Sequence, residues 1–239
     1  MSRPRRPKQE AAEDVTALVL QVSPSRDDLI ARLLTDAGEV LAVLAPRARL
    51  SRGRTGLAAT LQPLSAVRLR LVTREDPDEA PAMGTRLPRV ESGQLLTGFA
   101  GLKADPEKLA AASCMAEAVM HLVPDGGAEP SLPPLLARAL ARLDAAPPDV
   151  VVDLLALFLV RLLDASGLLP ALGEDGGADA ARLPAAARSC LEGWREGRWA
   201  PLPARETRAT LDWLEQLVAT VSQRPLRSRA VLDALRGEA

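Results

Sequence analysis

Residues 29–45, LIARLLTDAGEVLAVLA, contain two short apolar runs separated by the tripeptide Asp36-Ala37-Gly38. The runs, residues 29–35 and 39–45, have the length and aliphatic content of β-strands. Gly38 can adopt the positive φ that a tight hairpin requires, because it has no Cβ atom. This stretch therefore predicts a β-hairpin in the N-terminal half of the chain.

Similar runs flank the hairpin on both sides. They cover residues 16–22, 66–73 and 86–96, and turn residues bound each of them. Five such strands are enough for a small barrel. Arg68 and Arg70 alternate with aliphatic residues, so the period of two places both arginines on the solvated face of their strand.

From residue 105 onward the apolar residues recur with the period of a helix. Asp105 is a suitable N-cap and Pro106 a suitable first residue for the first of these helices. Further helices are predicted over residues 131–144, 148–166, 185–195 and 204–222, and Ser228 is the expected cap of a short last helix. We therefore place the domain boundary near residue 100, within residues 98–104.

The composition limits what the chain can bind. Its net charge is −1 and its pI is near 6.0, so affinity for nucleic acid requires local clustering of basic side chains.

Cys114 and Cys190 provide no disulfide framework, which fits a cytoplasmic protein. The longest apolar run, residues 150–163, is too short to span a bilayer, and residues 1–14 are expected to form a disordered basic arm.

Four arginines follow the third predicted strand with no acidic residue among them: Arg47, Arg49, Arg52 and Arg54. Guanidinium groups on a flexible segment are typical of contacts to the phosphates of nucleic acid. The alternative is a solvated loop that is rich in arginine because of codon bias, since Lys8, Lys103 and Lys108 are the only lysines of the chain.

Two further groups of arginines extend this hypothesis. Arg68 and Arg70 either continue the basic surface or lie on an ordinary solvated strand face. Arg227 and Arg229, with Arg224, either contact nucleic acid or serve domain packing. Aromatic residues make up only 2% of the chain, so bases would have few side chains on which to stack. Binding is therefore predicted to depend on the nucleic-acid backbone and to tolerate any base sequence.

Particular residues along the chain resemble one known family. In the N-terminal half they are Leu33-Leu34-Thr35, the hairpin Gly38, the arginine-rich residues 45–54 and Leu61-Gln62-Pro63-Leu64. Further along they are Glu91, Leu95-Leu96, Gly101-Leu102-Lys103, Glu117 and Arg224-Pro225-Leu226-Arg227-Ser228-Arg229. In this order they are similar to the bacterial RecO family of recombination mediators, over most of residues 15–236.

The resemblance implies an α+β, multidomain protein, with a five-stranded OB-fold DNA-binding barrel over residues 15–100 and an all-α helical domain over residues 101–239. It implies a non-enzymatic protein of DNA repair and recombination that binds single- and double-stranded DNA and anneals complementary strands. The implied partners are RecR and single-stranded-DNA-binding protein, with which it loads RecA, in the cytoplasm at the nucleoid. The alternative is an adaptor that bridges RecR and single-stranded-DNA-binding protein with little DNA affinity of its own.

The chain departs from many relatives at their four-cysteine zinc module. At this place, residues 170–184, the sequence has an acidic and glycine-rich stretch, and only Cys190 lies nearby. A tetrahedral zinc site needs four ligands, and His121 is far away in sequence, so we predict no metal and no other cofactor. No nucleophile with its base, and no phosphate-binding loop, indicates an enzyme.

Overall fold

The computed structural model describes residues 9–48, 56–75, 87–123, 127–172 and 182–237. The chain divides into two units, residues 1–98 and residues 99–239. Strands dominate the described part of the first unit and helices that of the second. This division follows the change of hydrophobic period along the sequence.

The described strands of the first unit close into a barrel. They are β1 (Gln9–Ser25), β2 (Asp28–Thr35), β3 (Val40–Ala45), β4 (Ala66–Glu75) and β5 (Arg89–Thr97), and a short helix, α1 (Leu57–Thr60), precedes β4. The order around the barrel is β1-β2-β3-β5-β4, in which β3 and β5 are parallel and the other neighbours are antiparallel. This is the arrangement of an OB-fold, so the predicted fold class is confirmed.

The period of two along each strand fills the interior of the barrel with aliphatic side chains. Val19, Leu33, Val43 and Leu69 are fully buried there. The predicted hairpin is also present: the N–H of Thr35 donates to the carbonyl of Glu39 at 2.9 Å, and Gly38 has a φ of 87°. Exposed side chains of the same strands therefore lie on the outer face of the barrel.

Strand β1 begins earlier than the sequence predicts. Residues 9–14 pair with β4, in a register that runs from Gln9 opposite Glu75 to Asp14 opposite Arg70. The expectation of a disordered arm over residues 1–14 is therefore wrong for residues 9–14, and residues 1–8 lie outside the described residues. Backbone hydrogen bonds to β4 extend the strand without any need for apolar side chains, which is why the hydrophobic pattern did not show it.

Packed helices form the second unit. They are α2 (Ala100–Ala104), α3 (Pro106–Leu122), α4 (Leu132–Ala145), α5 (Val151–Ala165), α6 (Ala185–Arg195), α7 (Ala204–Ser222) and α8 (Arg227–Arg236), and a 3₁₀ turn (Pro148–Val150) precedes α5. As predicted, Asp105 caps α3, since its Oδ1 accepts from the N–H of Glu107 at 2.9 Å and of Lys108 at 3.2 Å. Within the described residues we find no helix with the length and apolar character that a membrane crossing requires.

The N-terminal cap of α8 differs from the prediction. The helix begins at Arg227, and no side chain of the preceding turn caps it. The carboxylate of Glu117 on α3 takes that role, because it accepts from the N–H groups of Arg227 at 3.0 Å and Ser228 at 2.9 Å. Ser228 is thus inside the first turn of the helix, and its prediction as the cap is wrong.

Candidate nucleic-acid interface

The charge of the chain is divided unevenly between its two units. Residues 1–98 hold 15 of the 30 basic residues but only 12 of the 31 acidic residues, which gives the barrel unit a net charge of +3. The remaining residues, 99–239, hold 15 basic and 19 acidic residues, a net charge of −4. The near-neutral total therefore hides a positively charged barrel, and the local charge is what attracts a polyanion.

Strand β4 carries Arg68 on its outer face. Arg68 is exposed, and its neighbours across the sheet are the uncharged residues Thr16 on β1 and Gln94 on β5. Within the described residues its side chain makes no ion pair. This guanidinium group is therefore available to an external anion.

Arg70 lies on the same face but has two carboxylates beside it. Its Nε donates to Glu91 Oε2 at 3.0 Å, and its Nη1 lies 3.6 Å from Asp14 Oδ1. Glu91 reaches this position because β4 pairs Arg70 with Ser92 and Leu71 with Val90, which leaves Glu91 as the extra residue of a β-bulge. Since about half of the Arg70 side chain remains exposed, these pairs add little to stability, but they offset its positive charge.

Arg47 lies where the chain leaves β3, at the start of the arginine-rich segment. It is exposed and has a positive φ of 55°. Its N–H donates to Oδ1 of Asp28 at 2.7 Å, so a carboxylate at the start of β2 fixes the backbone at this point. Arg49, Arg52 and Arg54 lie outside the described residues, and their contact with nucleic acid stays a prediction.

Arg89, which lies outside the arginine groups apparent in the sequence, is an exposed residue of the same barrel. It is the first residue of β5 and pairs with Leu44 of β3 on one side and Val72 of β4 on the other. Its strand was predicted, but the neighbours of a strand in a barrel depend on topology. The sequence signal was only the alternation of Arg89 with the buried Val90.

The C-terminal arginines do not form one surface. Arg224 and Arg227 are exposed, whereas Arg229 retains only 5% of its accessible surface. The guanidinium group of Arg229 lies 2.7 Å from Asp233, 3.0 Å from Asp212 and 3.5 Å from Glu215. A buried cation with three carboxylates has no free face for a phosphate, so this structure argues against Arg229 as a contact residue.

The same cluster shifts the protonation of its members. Burial alone would lower the pKa of Arg229, but the carboxylates of Asp233, Asp212 and Glu215 raise it above its ordinary value. Burial raises the pKa of Glu215, Arg229 opposes this, and Asp212 and Asp233 add to the increase. Arg229 is therefore a structural cation that joins α8 to α7.

A groove between α4 and α5 combines apolar and basic groups. Its floor includes Leu135, Leu154 and Leu157, and its volume is about 280 Å³. Three arginines line it, Arg138, Arg142 and Arg161, and the described part of the chain contributes no acidic residue to the lining. Within the described residues none of these guanidinium groups makes an ion pair. The groove is thus suited to a ligand that carries both apolar and negatively charged groups.

Metal ligands are not gathered in the described part of the chain. There, no three residues of the types His, Cys, Asp and Glu lie close enough to hold a metal ion. The thiol of Cys190 instead donates to the carbonyl oxygen of Ala200 at 3.4 Å. Residues 173–181, within the stretch that replaces the zinc module, lie outside the described residues, so the absence of zinc stays a prediction.

Comparison with known proteins gives the family. The profile described as Recombination protein O C terminal matches residues 103–187. A DNA repair protein RecO of Anaeromyxobacter dehalogenans is 30% identical over 230 residues, which cover 92% of this chain and 86% of that protein. The chain belongs to the RecO family. A DNA repair protein RecO of Syntrophobacter fumaroxidans is 36% identical over 149 residues, 62% of this chain and 54% of that protein.

The RecO profile match covers α3, α4 and α5 and the beginning of α6. The groove between α4 and α5 thus lies wholly inside the matched region. The similarity to A. dehalogenans RecO extends over both units of the chain, barrel and helices. The resemblance drawn from the sequence is confirmed, and RecO membership places the chain among proteins of DNA repair and recombination.

Proposed function

We propose that this chain is a non-enzymatic recombination mediator that binds single- and double-stranded DNA by its phosphates and anneals complementary strands. The observation that carries the proposal is a RecO-family barrel with a net charge of +3 and with Arg47 and Arg68 exposed on it. Arg49, Arg52 and Arg54 extend the proposed phosphate contacts beyond Arg47.

Phosphate binding by the barrel accounts for annealing in simple electrostatic terms. Two complementary strands repel each other through their backbones, and arginines that neutralise part of this charge lower the barrier to their encounter. Base pairing then supplies the free energy, so no nucleotide needs to be hydrolysed.

A strand-annealing assay with purified protein tests the proposal. We expect annealing of complementary oligonucleotides to be faster than the spontaneous rate, with and without single-stranded-DNA-binding protein. Replacing Arg47, Arg49, Arg52 and Arg54 together by glutamine should reduce the slope of log affinity against log salt for a single strand by roughly 3. An unchanged slope would remove these residues from the interface, and an unchanged annealing rate with added wild-type protein would contradict the proposal.

For the single-stranded-DNA-binding protein we propose the groove between α4 and α5 as the docking site of its tail. The three arginines that line the groove attract carboxylates, and its leucines take apolar side chains. A tail that binds here must therefore present apolar residues next to acidic ones. DNA fits this groove less well, because a phosphate backbone would leave the apolar floor without a partner.

A peptide titration tests this docking site. We expect a fluorescent peptide of the tail to bind the wild-type chain, and Arg138→Glu with Arg142→Glu to weaken binding at least tenfold. Arg182→Glu with Arg208→Glu is a matched control, because both residues are exposed arginines of the same unit outside the groove. Equal losses in the control and the groove variant would remove the groove from the proposal. We also propose that the chain acts with RecR to load RecA, and this part of the proposal rests on family membership alone.

The adaptor is a second candidate function. It is favoured by the two carboxylates that offset the positive charge of Arg70 and by the burial of Arg229, since both leave fewer arginines to bind DNA. An adaptor would bridge RecR and single-stranded-DNA-binding protein with little DNA affinity of its own. A titration with single-stranded DNA at low salt distinguishes the two, because phosphate contacts are strongest there.

A further inference from the structure

The position of Arg89 in the barrel connects two groups of arginines that are separate in sequence. Arg89 opens β5, the strand that lies between β3 and β4. The next residue, Val90, points into the core with 2% exposure, so alternation directs the exposed Arg89 outward. Within the described residues the side chain of Arg89 makes no ion pair.

On the β4 side, Arg89 has Arg70 as a diagonal neighbour. Arg89 pairs with Val72, and Arg70 is two residues before Val72 on the same face of β4. Diagonal neighbours on one face of a sheet are typically about 7–8 Å apart, within the reach of long side chains. Arg68, two residues before Arg70 in the chain, lies on the same face of β4.

On the β3 side, Arg89 is next to the start of the arginine-rich segment. It pairs with Leu44, and the N–H of Leu44 donates to the carbonyl of Pro88 at 2.9 Å. Leu44 is three residues before Arg47, and the backbone N–H of Arg47 donates to Asp28. Arg89 therefore occupies the interval between Arg70 and Arg47.

We propose that Arg89 joins these groups into one row of phosphate-binding arginines, a phosphate track, across β4, β5 and β3. A single DNA strand runs along this track, and its bases do not stack on protein side chains. The track consists of Arg68, Arg70, Arg89 and Arg47, in that order. The inference rests on the proposed function, because it assigns the path of a DNA strand that the barrel binds.

The second part of the proposal follows from the side chains that the barrel lacks. Residues 1–98 include no Phe, Trp, Tyr or His. The outward residues nearest to Arg89 on β3 and β2 are aliphatic, since Leu44 pairs with Arg89 and Ile30 is opposite Leu44. Barrels that sequester single strands stack the bases on aromatic rings, and this barrel has none to offer. The strand is held by its phosphates, and its bases stay free to pair with a complementary strand.

Salt titrations of three variants test the track. We expect Arg89→Gln to reduce the slope of log affinity against log salt for a single strand by about 0.7, the contribution of one phosphate contact. Arg89→Lys should keep the slope, because it keeps the charge. Arg182→Gln, which removes an exposed arginine of the helical unit, should leave the slope unchanged.

The outcomes separate this inference from the proposed function. If the wild-type chain shows no binding at low salt, the proposed function fails and the track fails with it. If the wild-type chain binds and Arg89→Gln binds with the same slope, the track is wrong while DNA binding stands. Circular dichroism of each variant should show an unchanged fold, since Arg89 is an exposed residue on the outer face.

Chemical probing of a bound strand tests the state of its bases. We use an oligonucleotide with thymines and one 2-aminopurine, in the presence of saturating wild-type protein. Permanganate should oxidise the bound thymines at least as fast as the free ones, and 2-aminopurine fluorescence should not fall, because neither base stacks on a ring. Protection of the thymines or quenching of the fluorescence would overturn the unstacked arrangement.

Discussion

Glu117 on α3 caps α8 through Ser228, a residue 111 positions later in the chain, whose N–H donates to Glu117 Oε2 at 2.9 Å. The other carboxylate oxygen accepts from the N–H of Arg227 at 3.0 Å. A negative charge at this place also interacts favourably with the positive end of the helix dipole. One side chain of α3 therefore anchors the last described helix of the chain.

Removal of this carboxylate should loosen α8. We expect Glu117→Ala to lower the free energy of unfolding of the helical unit by about 1–2 kcal/mol, the cost of a lost N-terminal cap. Urea denaturation measures the loss, and hydrogen exchange should locate it in the amides of α8. Glu192→Ala is the control, since within the described residues the Glu192 side chain makes no hydrogen bond or ion pair. Equal stability of the two variants would contradict the capping role.

His121 makes the same junction sensitive to pH. Its Nε2 lies 4.0 Å from Glu117 Oε1, and its buried Nδ1 has no hydrogen-bond partner among the described residues. Burial lowers the pKa of His121 below 6.5, Arg224 and Arg227 lower it further, and Glu117 opposes them. The unfolded chain therefore binds a proton more readily than the folded chain at mildly acidic pH.

The consequence is a loss of stability on acidification. A group whose pKa is lower in the folded state stabilises the fold at pH values above its pKa in the unfolded state. This stabilisation is lost as the pH falls from 6.5 through the pKa of His121 in the folded state. We expect the urea midpoint of the helical unit to fall between pH 7.5 and pH 5.5, and His121→Gln to reduce that decrease. A decrease of the same size in the variant would exclude His121 as its cause.

Arg229 should be needed for folding rather than for DNA binding. Arg229→Met leaves the carboxylates of Asp212, Glu215 and Asp233 without their shared cation. We expect a loss on the order of 3 kcal/mol in the free energy of unfolding, because breaking a buried ion pair strands the remaining charges. The loss should shrink as the pH is lowered toward 5, when the stranded carboxylates take up protons. Arg227→Met, at an exposed residue two positions earlier, should cost far less.

Local pattern predicted most of the secondary structure but only part of the interface. The bounds predicted for α6 and α7 are those observed, and the predicted strands lie within one or two residues of most observed ends. Arg229 looked like a member of a basic cluster because Arg224 and Arg227 precede it closely in the sequence. Two of its carboxylate partners lie on α7, and one is a helical turn further along α8, so its burial depends on how the two helices pack.

Arg89 is missed for a related reason. Its place between β3 and β4 follows from the order of strands around the barrel, and hydrophobic period does not determine that order. The β-bulge that brings Glu91 to Arg70 is likewise a matter of register between two strands. Charge offset at Arg70 therefore became visible only in the structure.

The close packing of α2 on α4 makes a further prediction. A Cβ atom at Gly101 would lie 2.4 Å from the backbone oxygen of Asp144, which cannot move aside. The same Asp144 accepts from the N–H of Leu102 through Oδ1 at 2.8 Å. We expect Gly101→Ala to destabilise the helical unit by about 2 kcal/mol through overpacking, as measured by thermal or urea denaturation. Gly98→Ala is the control, because among the described residues its Cβ would meet only Leu95, at 3.8 Å.

The carboxylate beside Arg70 allows a gain of DNA binding to be predicted. Glu91→Gln removes the charge that lies 3.0 Å from the guanidinium group, so Arg70 gains freedom to contact a phosphate. We expect tighter binding of single-stranded DNA and a steeper salt dependence, by up to about 0.7 in the slope of log affinity against log salt. Filter binding or fluorescence anisotropy over a range of salt concentrations measures both.

The control must remove one negative charge from the barrel without touching Arg70. Glu13→Gln does so, because Glu13 is an exposed residue of β1 opposite Leu71 rather than Arg70. Both variants raise the net charge of the barrel by one, so any general electrostatic gain is common to them. A gain in Glu91→Gln beyond that of Glu13→Gln measures the release of Arg70. If the two gains are equal, Arg70 contributes only through the total charge of the barrel, and its place in the track has to be given up.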